Sequence, residues 1–371
     1  MTVTWEQVLA WRLHQQLLDP VRSVEVVQVV RQLCGVHAQV SSSAEMAVAV
    51  RRRGYRVGEA ERALQARTII KTWAMRGTLH LLAVEDAGAY LALLAEARTW
   101  EKGAWQRTFL TTRQMAELTD AVCDALAGGQ VLSRDELIVK VAERINDARV
   151  REQLTSGWGT VLKPLAWQGY LCNGPSQGNR VTFTRPDTWV TGWKGLPPTT
   201  EAARVVIPAY LGVFGPAGMD TFDQWLCRGA SKRATLRSWF KDLEGELSVV
   251  EVQGEKLYAR AADVDAIAST RPHDVVRLLP AFDQYVLAPG TNDTRIINAS
   301  RRKEISKVAG WIAPVVVWHG RVCGVWEVDG SAFTVRLFSE ESDIPRKMLD
   351  SEIARVAALY DIAHEVTVSI D

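Results

Sequence analysis

The chain has 371 residues, 47% of them hydrophobic, with 26 Gly and 13 Pro, enough apolar material for a substantial core and a length that suggests two or more domains. With 44 Lys and Arg against 43 Asp and Glu the formal net charge is +1, so no global field marks a nucleic-acid or membrane binder and any basic surface must be local. Five cysteines (Cys34, Cys123, Cys172, Cys227, Cys323), none closer in sequence than Cys123 and Cys172, imply neither a disulfide framework nor a zinc knuckle and fit a reducing cytoplasm. The N-terminal stretch lacks the regions of a signal peptide, and no run of about 18 apolar residues exists to span a membrane.

In chain order, helices are expected around residues 5–18, 22–34, 43–52 and 59–66, followed by a hairpin in KTWAMRGTLHLL that turns near Arg76-Gly77. Ser133 with Glu136 forms a capping box that opens an apolar-periodic helix through Leu137, Val141 and Ile145. A second helix is expected over Trp158 to Gln168, stopped by Gly169, and then Tyr170-Leu171-Cys172, the turn-rich NGPSQGN and the alternating Arg180 to Thr184 read as a hairpin. Pro197-Pro198 marks a join. From about Asp220 the grammar repeats: FDQWL, a basic helix from Ser231 to Phe240, and strands LSVVEV and KLYAR around Gly254.

Helix, turn, helix and two short strands is the pattern of a winged helix-turn-helix unit. After about residue 271 the pattern turns β-rich, with His319-Gly320 placed as a hairpin turn, and it closes with a helix from about Pro345 whose Leu349, Ile353, Val356 and Tyr360 share a face. The expected fold is α+β: three tandem winged helix-turn-helix units over 1–100, 101–197 and 198–270, and a C-terminal β-rich module over 271–371.

The most informative stretch is Leu33 to Glu45. Gly35 is a plausible helix C-cap, and Ser42 with Glu45 forms a capping box that restarts a helix. His37 and Gln39 then fall in an extended break, where residues two apart project to one side while Ala38 points to the other. An imidazole and an amide on one short segment can grip a water molecule. On spacing alone, a surface loop with incidental polar residues is the better reading.

The segment is similar to the catalytic Gln-Φ-Gln or Gln-Φ-Asp motif (Φ apolar) of the AlkZ/AlkX family of bacterial DNA glycosylases, a group of winged-helix DNA-binding proteins. TWAMRGTLHL, LLPAFDQYVL and VVVWHGRVCGVW resemble further stretches of that family, in the same order along nearly the whole chain. His37 departs from the usual Gln and resembles a His-Φ-Gln subgroup associated with genotoxic antibiotic production. The resemblance implies a monofunctional, cofactor-free enzyme, curved in a C-shape around double-stranded DNA, that hydrolyses the N-glycosidic bond of N7-alkylated purines, bulky natural-product guanine adducts among them. It assigns catalysis to His37 and Gln39.

Other candidates rest on pattern. Trp73, Arg76, Thr78 and His80 lie in the RGTxHL-like hairpin, and Asp283 and Tyr285 alternate in FDQY. All six could line an adduct pocket, but a lone strand histidine is commonly structural, and Asp283 could equally cap a turn while Tyr285 packs in the β module. Arg51, Arg52 and Arg53 (with Arg56), Lys232, Arg233 and Arg237, and the run Arg301-Arg302-Lys303 are the basic clusters. The first two sets are expected to contact DNA phosphates. Most tryptophans, including Trp158, Trp167, Trp225 and Trp239, fall at helical core positions. The histidines form no HxxxH or HxH pair and no CxxC occurs, so no metal is expected. A monomer is expected, and the alternative from another class is a non-enzymatic winged-helix transcriptional regulator, which would act as a dimer and give His37 and Gln39 no joint role.

Overall fold

The computed structural model describes residues 2–156, 159–341, 343–360 and 365–371; Trp158, the first residue of an expected helix and an expected core tryptophan, lies outside them. The chain is an α+β protein in two compact units. One comprises Met1–Ala60, Ile207–Trp225 and Leu243–Asp371, the other Glu61–Val206 and Leu226–Asp242. None of the described helices is long and apolar enough to cross a membrane.

The first unit is built on two sheets. Strands Val276–Leu279, Val315–Trp318, Arg321–Asp329 and Ala332–Leu337 run antiparallel in that order, and Glu365–Ile370 adds in parallel to the last. His319 and Gly320, at φ 48° and 77°, make the expected two-residue turn, because paired left-handed residues match the twist of a hairpin. The smaller sheet pairs Leu247–Val252 with Glu255–Arg260 across Gln253-Gly254, again both at positive φ, and takes Thr2–Val3 as a parallel edge. Leu9, Leu13 and Leu18 of the N-terminal region and Met46 and Val50 of Ser41–Ala49 and its cap share one core with the five-stranded sheet. The two ends of the chain thus stabilise each other by apolar burial. The closing helix, Arg346–Ala357, buries Leu349, Ile353 and Val356 as expected, with Glu352 beside them accepting from the Leu278 amide at 3.0 Å.

The second unit begins within the helix Glu59–Gln65 and continues into the hairpin Ile69–Trp73 and Leu79–Ala83, whose register sets Thr72 opposite His80. Its tip is the left-handed pair Arg76 and Gly77. Helices Val84–Glu96, Thr112–Ala125, Arg134–Ala142 and Ala148–Thr155 follow, and the Ser133/Glu136 capping box forms with both reciprocal bonds. The expected long helix ending at Gln168 is shorter, Lys163–Trp167, preceded by a 3-10 turn and carrying Pro164 in its first turn. Gly169 ends it as read, in a Schellman closure with Gly169 N–H on Ala166 and Tyr170 N–H on Leu165. The hairpin Cys172–Asn173 and Thr182–Thr184 is present, and it gains a third strand, Leu132–Ser133. Trp73, stacked on Phe183 at 5.8 Å, belongs to the core of this unit.

Candidate functional site

The segment carrying His37 and Gln39 is set by the way the preceding helix stops. Val26–Gln32 ends in a second Schellman closure: Cys34, at φ 54°, donates its N–H to Arg31 at 3.0 Å, and Gly35, at φ 101°, donates to Val30 at 2.9 Å. The backbone leaves this turn extended over Val36–His37 and re-enters a helix at Ser41–Ala49. The expected capping box of Ser42 and Glu45 does not form. The helix starts two residues earlier, with Val40 as its cap, and the Glu45 carboxylate accepts instead from the Tyr55 hydroxyl and the Gly58 N–H. Burial, followed by the hydrogen bond to Glu45, raises the Tyr55 phenol well above its usual range.

The break between helices is as the sequence implied, but its two polar residues have different surroundings. His37 is only 5% exposed, whereas Gln39 is exposed. The imidazole stacks on Phe282, with centroids 4.8 Å apart and planes 14° apart. Phe282 sits at φ 61°, a left-handed conformation that a bulky residue adopts at a strain of about 1–3 kcal/mol. It also meets Trp311 edge-on at 5.0 Å and 76°. Sequence reasoning quoted Phe282 within LLPAFDQYVL without singling it out. A strained aromatic stacked on a buried imidazole restricts the ring plane of His37.

A cavity of about 1030 Å³ begins directly beyond this segment, where Val40 and Ser41 form part of its wall together with Trp311. It is lined by neither Asp283 nor Tyr285, which corrects the pocket-lining expectation, and the alternative of a capping Asp283 and a packed Tyr285 is the one observed. FDQY is not a strand: Asp283 caps the short helix Gln284–Leu287, accepting from the Tyr285 N–H at 2.9 Å. Asp283 is also paired to Arg51, and Tyr285 is buried with its hydroxyl donating to the Gly320 carbonyl at 2.6 Å. Burial holds that phenol far above its ordinary value.

Arg51, expected on DNA, has side-chain exposure 0% and is unavailable to a phosphate. Arg52 is half-buried and bonded to the Val24 carbonyl and Glu59; Arg53 is exposed. Arg301 of the third cluster is engaged with Glu304, Glu340 and Asp371.

The remaining sequence candidates lie in the second unit. His80 is 1% exposed, its Nδ1–H on the Thr78 carbonyl at 3.0 Å, so it is a structural strand histidine, out of reach of DNA. Trp73 is core, and Thr78 closes the hairpin turn through its hydroxyl on Met75. Arg76 at the hairpin tip is part-buried, and desolvation followed by the charge of Arg228 brings it down to about 10. Lys163 is lowered by the same two causes. Lys232, Arg233 and Arg237 are exposed on the helix Arg233–Lys241 and its cap, with Arg233 and Arg237 one turn apart on one face.

Comparison with known proteins identifies the family. Residues 30–359 match the family described as DNA glycosylase AlkZ-like. An interstrand DNA cross-link repair glycosylase of Streptomyces sahachiroi is 44% identical over 359 residues, 96% of each chain. The solved structure of the DNA glycosylase AlkZ of Streptomyces sahachiroi superposes with a TM-score of 0.94 at 43% identity, covering 99% of this chain and 100% of that one. At this identity and coverage the chain belongs to the AlkZ-like family of DNA glycosylases. It is an enzyme acting on damaged DNA, and the regulator reading is not favoured.

Proposed function

We propose that the chain hydrolyses the N-glycosidic bond of N7-alkylated purines in double-stranded DNA, with bulky natural-product guanine adducts as its principal substrates and His37 and Gln39 as its catalytic pair. The observation that carries the reading is the short extended segment in which a buried, ring-stacked His37 stands two residues from an exposed Gln39.

An N7-alkylguanine is already cationic, so its departure needs no general acid. The glycosidic electron pair passes to the purine and neutralises it, the water oxygen bonds to the sugar carbon, and the proton from water goes to neutral His37. General-base help of this kind contributes roughly 10² to 10⁴ in rate. The Gln39 amide orients the water, and its carbonyl dipole steadies the positive charge that develops on the sugar. No covalent enzyme intermediate is needed, which makes the activity monofunctional. The cross-link repair named for the S. sahachiroi relative extends here as release of one tethered guanine at a time.

The proposal keeps the three winged-helix units and β-rich module, embracing DNA, as the reading of the repeated helix-and-hairpin grammar. Lys232, Arg233 and Arg237 contact phosphates, and the enzyme works as a cytoplasmic monomer in repair or in self-resistance. The test is incubation with duplex DNA carrying a single N7-methylguanine and, separately, one bulky N7-guanine adduct. Free modified base, an abasic site that breaks in alkali, and no borohydride-trapped enzyme support it; intact substrate in both cases overturns it.

A further inference from the structure

The cavity beside the catalytic segment has a size and chemistry that excision of a small lesion leaves unused. Its volume of about 1030 Å³ lies at the upper end of the range that encloses drug-sized ligands, roughly 300–1,000 Å³. A methyl group on N7 would occupy almost none of it. One wall is aromatic. Trp326 is held rigidly, its ring parallel to Phe333 at 5.2 Å, edge-on to Tyr360 at 6.4 Å, and its Nε1–H on the Leu279 carbonyl at 2.9 Å. Opposite in character, Trp311 remains 42% exposed and Val57 68% exposed around the same space. Large apolar side chains left in water at a concave site are a standing free-energy cost that a flat apolar occupant removes.

The charges choose among occupants. Glu45 and Glu327 line the cavity alongside Lys307 and Arg336. Mixed signs do not draw in a phosphate backbone, which needs cations unopposed by carboxylates. They do suit a neutral or weakly cationic group decorated with hydroxyls. The cavity borders the segment that carries the pair: its wall begins at Val40 and Ser41, which follow Gln39 in sequence, and includes Trp311, which touches the Phe282 ring that stacks on His37.

We infer that this cavity receives the planar, polycyclic, largely apolar substituent of the lesion, so that the enzyme selects N7-purine adducts by the bulk they carry. The inference rests on the proposed glycosylase reading and adds where the adduct's own mass is bound.

The test fills the cavity at positions outside the catalytic pair. Ser42→Trp and Thr334→Trp are compared with wild type on two duplexes of one sequence, bearing N7-methylguanine or the N7-guanine adduct of aflatoxin as a planar probe. Affinity for each duplex is read alongside excision. Wild type prefers the polycyclic adduct by about tenfold or more in kcat/KM, and each variant loses about that factor on it while keeping its rate on N7-methylguanine within about twofold. Equal losses on both substrates, or no loss on either, overturn the inference. If wild type excises neither lesion, the glycosylase reading fails; tighter binding of the polycyclic duplex that is lost in the filled variants would still support the cavity's role, and equal affinities would overturn it.

Discussion

Arg51 and Asp283, 232 positions apart in the sequence, form a bidentate ion pair with both contacts at 2.7 Å and no exposure of either side chain. Arg51 also donates to the carbonyls of Gln16 and Ala47, so its guanidinium ties together the N-terminal helices and the loop that carries Phe282. The pair therefore acts on the site through position: it anchors the residue next to the aromatic ring that clamps His37.

Removing one partner leaves a buried charge without its counter-ion. Arg51→Ala and Asp283→Ala each destabilise the protein by about 3–5 kcal/mol, read as a shift in the denaturant midpoint. Replacing both by apolar residues of similar volume costs less than the two single losses added together. Additive losses would mean the pair is not coupled.

Phe282 stacks face to face on the His37 imidazole, and on the proposed role of His37 it acts by ordering that ring. Phe282→Leu lowers kcat by between about 10- and 100-fold, as small misplacements of a catalytic group do, while the Kd for DNA stays unchanged. A purely structural role would show as lost stability with the rate intact in the folded fraction.

The phosphate contacts proposed for the exposed cations on the helix Arg233–Lys241 and its cap predict a salt effect. Each of Lys232→Ala, Arg233→Ala and Arg237→Ala reduces the slope of log K against log salt by about 0.9, measured by titration of undamaged duplex. Arg51→Gln leaves the slope unchanged, since its charge is sequestered.

Arg301 holds the Glu340 carboxyl at about 2, below its ordinary 4.5, chiefly by a direct hydrogen bond. A carboxylate depressed in the folded state adds stability above its unfolded value and loses it as the pH falls through the folded one. Arg301→Gln therefore makes unfolding less pH-dependent between about pH 4.5 and 2, observable in denaturant midpoints across that window. An unaltered pH dependence would contradict the pairing.

Local chemistry was legible in the sequence. The turns at Gln253-Gly254 and His319-Gly320, the stop at Gly169 and the Ser133/Glu136 box all depend on residues within a few positions of one another, and each forms. The Ser42/Glu45 box, equally local, does not form because Glu45 is taken by Tyr55 and Gly58, and the rest of what stayed hidden depends on more distant partners. Arg51 looked like part of a solvated basic run because its carboxylate lies far along the chain. The FDQY alternation left pocket lining and capping both open, and what the sequence hid is that the capping Asp283 carboxylate also pairs with Arg51. The terminal strand Glu365–Ile370 had the alternation of EVTVSI as its signal, but its parallel partner is not its neighbour in sequence. The break bearing His37 and Gln39 could be read; the burial of His37 against Phe282 could not, because the stacking ring comes from the other end of the chain.

The most direct measurement is single-turnover excision of N7-methylguanine from duplex DNA at saturating enzyme, comparing wild type with His37→Ala and Gln39→Ala after verifying that each variant is folded and binds the duplex. The account predicts that both variants bind as wild type does and release base slower by about 10²-fold or more. Excision at the wild-type rate by a folded, DNA-bound His37→Ala protein would contradict it.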